Sequence, residues 1–348
     1  MAEKKSVSPW LRGTLYVVAI LFLPTFVIQL VRPDALNAGM RRPTLQTFTF
    51  RFLLDTGIFL DRMGRHESAI SQFESAEQYA GRLTDTKYES LQEARVRLAE
   101  SYMAAGSASE AEQTYAKIVQ TSMDAGDVFR QKNQFDAAVP KYEDAEKFAQ
   151  KLTVTKFASL LSAQRSLAGC LMALKRSGEL EQVDARIITT LQDQSDPYSV
   201  ELGDAYRTLA MARSNLADYA GAEQALLQAN DIYNKIIEEF SGKYDPSGRA
   251  LQAKEQKDFN TWYLAVTYFN EKKMDLALAT AEDAFQVLSR RVGARGVPIG
   301  VYTAGLQAAT ALNNQEQVQV WQQRLSDLTP NRPRASEGDV SSGGSRVH

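Results

Sequence analysis

The chain has 348 residues, 44% of them apolar, with 40 Lys plus Arg against 42 Asp plus Glu. A net charge of −2 gives no field for drawing in a polyanion, so nucleic acid is not an expected partner. One cysteine, Cys170, and two histidines, His66 and His348, can assemble neither an internal disulfide nor a Cys/His zinc site, and neither metal nor cofactor is expected.

A short tail, residues 1–12, precedes 19 uncharged residues, Gly13 to Val31. As a helix they would extend about 28 Å, close to the ~30 Å hydrocarbon thickness of a bilayer. Trp10, Tyr16 and the flanking arginines fit interface anchoring, and Pro24 is tolerable in a membrane helix. The expectation is a single-pass N-terminal anchor over 13–31, with the remaining chain on the translocated side; the cytoplasmic side stays open, since Lys4, Lys5 and Arg12 before the span nearly balance Arg32, Arg41, Arg42 and Arg51 after it. A cleaved signal peptide is the alternative, since Lys4 and Lys5 precede the apolar run; the Leu36 before Ala38 suits cleavage poorly. Residues 32–47 read as a linker.

From Phe48 to about Leu328 apolar residues recur at helical spacing, with no sustained period-2 alternation, so an all-α region over 48–329 is expected. Gly64, Gly106, Gly178 and the stretch Gly242 to Gly248 read as turns between antiparallel helices. Residues 330–348, rich in Pro, Gly and Ser, have little to bury and read as a disordered tail.

A phrase recurs within the helical region: small residue, turn, small residue, aromatic or long apolar residue, small residue. Copies run through Gly57, Gly64, Ala69, Phe73 and Ala76; Ala99, Tyr102, Gly106, Ala111 and Tyr115; and Gly126, Phe129, Ala138, Tyr142 and Ala145. Others run through Ala210, Tyr219, Ala222, Leu226 and Ala229, and through Ala265, Tyr268, Ala277, Ala281 and Ala284. Weaker copies include Leu167, Leu174, Leu180, Val183 and Ile187, and Tyr302, Leu306, Val318, Trp321 and Leu325. Two antiparallel helices approach closely only where small residues sit at their crossing, with a large side chain filling the wedge beside them. Each hairpin keeps an uncovered apolar face, so hairpins stack on one another.

These residues resemble the tetratricopeptide repeat family over roughly 280 residues. The resemblance implies an α-solenoid of about six or seven irregular repeats. The family's leading Trp is absent, and the spacing runs from 27 residues (Ala111 to Ala138) to 55 (Ala222 to Ala277). Pro140 conflicts with the second helix of its copy and would kink it or delay its start.

Catalytic signatures are missing. No Gly-Lys-Ser/Thr phosphate loop, nucleophile elbow or metal-spaced histidines occur, and the glycine-rich stretch Gly293 to Gly300 reads as an inter-helix loop. Cys170, in an apolar run, reads as a packing thiol, His66 as a surface or capping residue, and Asp196-Pro-Tyr-Ser199 as a turn and helix cap.

The family's first helices line a concave groove, which the resemblance maps onto Arg97, Glu100, Asp127, Arg130 and Arg207. In the sixth copy the same face carries Trp262, Val266 and Phe269, as a grip for a peptide side chain or as packing against the last helices. The family's basic clamp for chaperone tails is missing: Leu54 and Ile58 stand at its positions in the first copy, and the second offers only Arg97. The expected function is a non-catalytic, membrane-tethered scaffold or adaptor for protein or peptide partners, in assembly or quality control of a membrane or envelope complex. The alternative is a secreted or lumenal helical protein binding a small ligand or peptide after signal cleavage.

Overall fold

In the computed structural model of the protein the described residues are 45–84, 86–193 and 198–328. They form thirteen α-helices and no strand: α1 (Leu45–Arg62), α2 (His66–Ala80), α3 (Lys87–Ala104), α4 (Ala108–Gln131), α5 (Phe135–Ala149), α6 (Lys156–Ala173), α7 (Ser177–Gln192), α8 (Val200–Asn215), α9 (Tyr219–Glu239), α10 (Arg249–Asn270), α11 (Met274–Val292), α12 (Ile299–Ala311) and α13 (Gln315–Ser326). The first helix starts at Leu45, inside the expected linker. The anchor segment 13–31 and the tail 330–348 lie outside the described residues.

The expected membrane location is corrected. Among the described residues no helix is long and apolar enough to cross a membrane. Even the longest, α4, carries Glu110, Glu112, Lys117, Asp124, Asp127 and Arg130 along its 24 residues, which no hydrocarbon layer would accept.

The chain divides into two compact units, residues 1–111 and 112–348. In the first, α1, α2 and α3 pack around Phe50, Leu54, Phe73, Leu83, Leu91 and Leu98. In the second, each helix from α5 to α13 packs on its sequence neighbours where the chain is described, and α8 touches α10 as α10 touches α12. Alternate helices therefore form a layer. The apolar interior runs from Ala138 to Leu264 as one cluster and from Ala265 to Trp321 as another.

Each of the seven turns inside a repeat carries one left-handed residue. Gly64 and Gly106 have φ of +71° and +80°, as expected, but Asn133, Lys175, Ala217, Lys272 and Asn313 fill the other five turns at +56° to +65°. Gly178, read as a turn, lies in the first turn of α7, and Lys175 does its work. Non-glycine residues tolerate this conformation at a cost of about 1–2 kcal/mol each, which explains why turn punctuation is sparse in the sequence.

The register is more regular than the spacing of the copies suggests. Small residues at Gly57, Ala99, Gly126, Ala168, Ala210, Ala265 and Gly305 each stand sixteen positions before a buried residue of the next helix segment: Phe73, Tyr115, Tyr142, Asp184, Leu226, Ala281 and Trp321. The short 27-residue spacing has a simple cause. The stretch carrying Ala111 and Tyr115 and the stretch carrying Gly126 and Phe129 belong to the single helix α4, without a loop between them.

Pro140 neither ends α5 nor delays its start at Phe135. It forfeits one backbone bond, to the Asp136 carbonyl, in a helix that buries Val139, Tyr142, Ala145, Phe148 and Ala149. The loop expected at Gly293–Gly300 joins α11 to α12 through a 3-10 turn, Ala294–Gly296, pinned by Tyr302, which donates to the Ala294 carbonyl at 2.5 Å.

Candidate partner-binding face

Glycine decides how closely the helices of the third repeat approach. A Cβ built on Gly126 would stand 2.6 Å from Cε1 of Tyr142, so only glycine admits the ring there. The fully buried Tyr142 then donates its hydroxyl to Asp127 Oδ1 at 2.7 Å, and the same oxygen takes Arg130 Nη2 at 3.0 Å. Burial, then the bond to the Asp127 carboxylate, push the Tyr142 hydroxyl far above its ordinary range, so it stays a donor.

The arrangement repeats in α8 and α9. Gly203 lies under the ring of Tyr233, whose hydroxyl donates to Asp204 Oδ1 at 2.8 Å. Asp204 holds Arg207 at 2.9 Å, and Arg207 also donates to Gln256 of α10 at 2.6 Å. Both sites read Gly-Asp-x-aromatic-Arg, at 126–130 and 203–207. Asp127, Arg130 and Arg207, expected on the groove face, are thus fixed by tyrosines from the following helices. Arg130 stays half exposed, whereas Arg207 is mostly covered.

Arg97 and Glu100 form an exposed i,i+3 pair at 3.4 Å on α3 of the first unit. They border a shallow depression together with Glu89, Glu93 and Val96. The structure places them in a different compact unit from the other five expected site residues.

Trp262 and Phe269 lie on α10, both partly buried. Trp262 packs toward the last helices: a Cβ on Gly300 would meet its Nε1 at 2.7 Å, and the indole joins the cluster around Tyr302 and Trp321. The indole also lies against Tyr263, with ring centroids 4.3 Å apart and planes inclined by 30°. Phe269 carries the Lys272 ammonium 5.6 Å from its ring centroid.

Between α8 and α10 a slot of about 190 Å³ opens, walled by Met211 and Ser214 on one helix and by Trp262, Tyr263 and Val266 on the other. It is smaller than the roughly 300–1,000 Å³ of small-molecule sites and is of a size for one apolar side chain. Met211, Ser214 and Tyr263 did not stand out in the sequence, although Met211 follows directly on the small residue Ala210 and so faces away from the helix crossing.

Cys170 is fully buried, and burial raises its thiol pKa, which keeps it unreactive. His66 Nδ1 lies 2.8 Å from Asp61 Oδ1, and Asp61 also accepts from Ser101 at 2.8 Å. Ser199 caps α8, accepting from the Leu202 amide; residues 194–197 before it lie outside the described residues. Among the described residues no group of three or more His, Cys, Asp or Glu side chains is placed to hold a metal ion.

Comparison with known proteins assigns no family. No protein-family profile matches the chain, and no curated protein does. Among solved structures, BtubC (BKLC) from P. vanneervenii is 16% identical, over 74% of this chain and all of that one, with a TM-score of 0.48. A Rap protein complexed with competence and sporulation factor is 14% identical over 94% and 88%, with a TM-score of 0.31. Acl4 (residues 1–338), an assembly chaperone of RpL4, is 15% identical over 78% and 99%, with a TM-score of 0.32. Likenesses of this size bear on neither partner nor activity, and the reading of this chain stands on its own side chains.

Proposed function

We propose that this protein is a non-catalytic helical-repeat scaffold that holds an extended segment of a partner protein against its layer of first helices. The slot between α8 and α10 is the observation that carries the reading. It is walled by a methionine and two aromatic rings, and one turn before Met211 on α8 Arg207 is held by Asp204 and Gln256. Methionine adapts to irregular apolar surfaces, and aromatic walls give large contact area at low entropic cost. An apolar partner side chain seated there would gain roughly 1.5–3 kcal/mol. The charge pair Asp204 with Arg207 on α8, and its counterpart Asp127 with Arg130 on α4, would fix register more than strength.

The test is selection of peptides from a random display library on the wild-type chain, followed by affinity measurement on Met211→Glu. Expected is an enriched set sharing one apolar anchor, with affinity lowered at least tenfold by the substitution. Enriched peptides that bind the variant equally well would reject the slot, and an absence of enrichment would reject the scaffold reading itself.

A further inference from the structure

In the register of seven repeats, Asp184 occupies the position that holds Phe73, Tyr115, Tyr142, Leu226, Ala281 and Trp321 elsewhere. It is as buried as they are, at 1% exposure, within α7 and between neighbours α6 and α8. Its Oδ2 has no hydrogen-bond partner.

No cation among the described neighbours is turned to it. On its own helix Arg186 donates twice to Glu146 of α5, at 2.8 and 2.9 Å, and Glu181 is taken by Arg213 of α8 at 3.0 Å. On α8 Arg207 is engaged by Asp204 and Gln256. On α6 Arg165 is exposed to solvent, and Gln164 donates to Glu146 at 2.9 Å. A polar side chain at hand is Thr208 of α8, and its hydroxyl donates to the Ala205 carbonyl at 2.9 Å. So committed, Thr208 offers Asp184 lone pairs, which suit a carboxylic acid as donor and not a carboxylate. An ionised group there would lack both counter-ion and hydration.

We propose that Asp184 makes the fourth repeat a proton-sensitive joint: the neutral carboxyl lets α7 seat between α6 and α8, and ionisation loosens that seat. Burial pushes the carboxyl up to about 7 from 3.8, and the Thr208 hydroxyl lowers it only by turning from Ala205. The sign follows from linkage. Between those two values the closed joint binds a proton that the opened, hydrated joint does not, so opening grows tenfold per pH unit from about 4 to about 7 and levels off above. The inference is independent of what the slot between α8 and α10 binds.

The experiment is backbone hydrogen exchange of the full chain at pH 5, 7 and 9, corrected for the intrinsic rate, read on peptides from 177–192 and 200–215 with 66–80 as control. Expected is a protection that falls on the order of a hundredfold from pH 5 to 7 in the wild type and then holds, with the control flat. In Asp184→Asn the fall should vanish. A fall of equal size in Asp184→Asn, or no fall in the wild type, would overturn the proposal. Should Asp184→Asn not fold, Asp184→Leu serves, leucine being the residue at position 226 of the same register: the fall should vanish there too, and a fall of wild-type size would overturn the proposal equally. An infrared carboxylic-acid carbonyl band, present at pH 6 and missing from Asp184→Asn, reads the protonation directly; its absence from the wild type would count against the joint.

Discussion

The third and fourth repeats answer one packing problem in two ways. In the third, Gly126 makes room for Tyr142, and the tyrosine carries its one polar atom outward to a waiting Asp127. In the fourth, Ala168 stands where the glycine was and Asp184 where the ring was, with a polar oxygen left unsatisfied in the interior. Equal burial in equal register thus stabilises one hairpin and makes the other conditional. What differs is whether the buried polar atom has a partner.

Several substitutions would break or sharpen that contrast. Tyr142→Ala should cost the most, about 3–5 kcal/mol of unfolding free energy, because it empties a fully buried site. Tyr142→Phe should cost only about 1 kcal/mol, the value of the bond to Asp127. Denaturant midpoints at fixed pH measure both.

Asp184→Asn should act in the opposite direction. The folded carboxyl titrates well above its unfolded value, so wild-type stability is fully present below pH 3.8 and is lost as pH rises to about 7. Asparagine has no such loss, so the variant should be more stable at pH 8 by on the order of 3 kcal/mol and should lose that advantage by pH 4. A variant less stable than the wild type at both pH values would mean that the carboxylate has an ionic partner.

The glycines of the two repeats should respond differently to alanine. At Gly126 the added carbon would lie 2.6 Å from the Tyr142 ring, and overpacking should outweigh the gain in helix propensity, for a net loss of about 1 kcal/mol. Gly169, in α6, has nothing within 4 Å of the built carbon, and Gly169→Ala should stabilise by about 0.5–1 kcal/mol. Ala217→Gly belongs to the same order: its φ of +61° is strained for alanine, and relief should add about 0.5–1 kcal/mol. Thermal or denaturant midpoints for these three variants, set beside one another, separate crowding from backbone strain.

Much of this architecture can be read without coordinates. The 3.6-residue periodicity marks the helices, and small residues at the crossings mark the hairpins, because both follow from local sterics and from apolar faces that must be covered. The pairing of Asp127 with Arg130 is local for the same reason, the two lying one turn apart on a helix whose glycine fixes its buried side. Other features are not local. Gly178 looks like a turn, yet Lys175 is the residue in the left-handed conformation, since neighbouring helix packing outbids a propensity of about 1 kcal/mol. Trp262 could face a groove or a core in any sequence reading; the approach of Gly300 from α12, 38 positions on, turns its indole edge toward the last helices while leaving a face to the slot.

The sequence by itself determined that this chain is a run of helical hairpins without catalytic signatures, because repeat spacing and side-chain size are properties of neighbours along the chain. Only the tertiary structure decided which glycine is crowded and which is free, which arginine is mounted on a tyrosine and an aspartate, and that Asp184 is buried without an ion partner among the described residues. Those depend on what another helix brings to the same point, and the energy of a polar group in the interior is set by that partner and not by its own position in the chain.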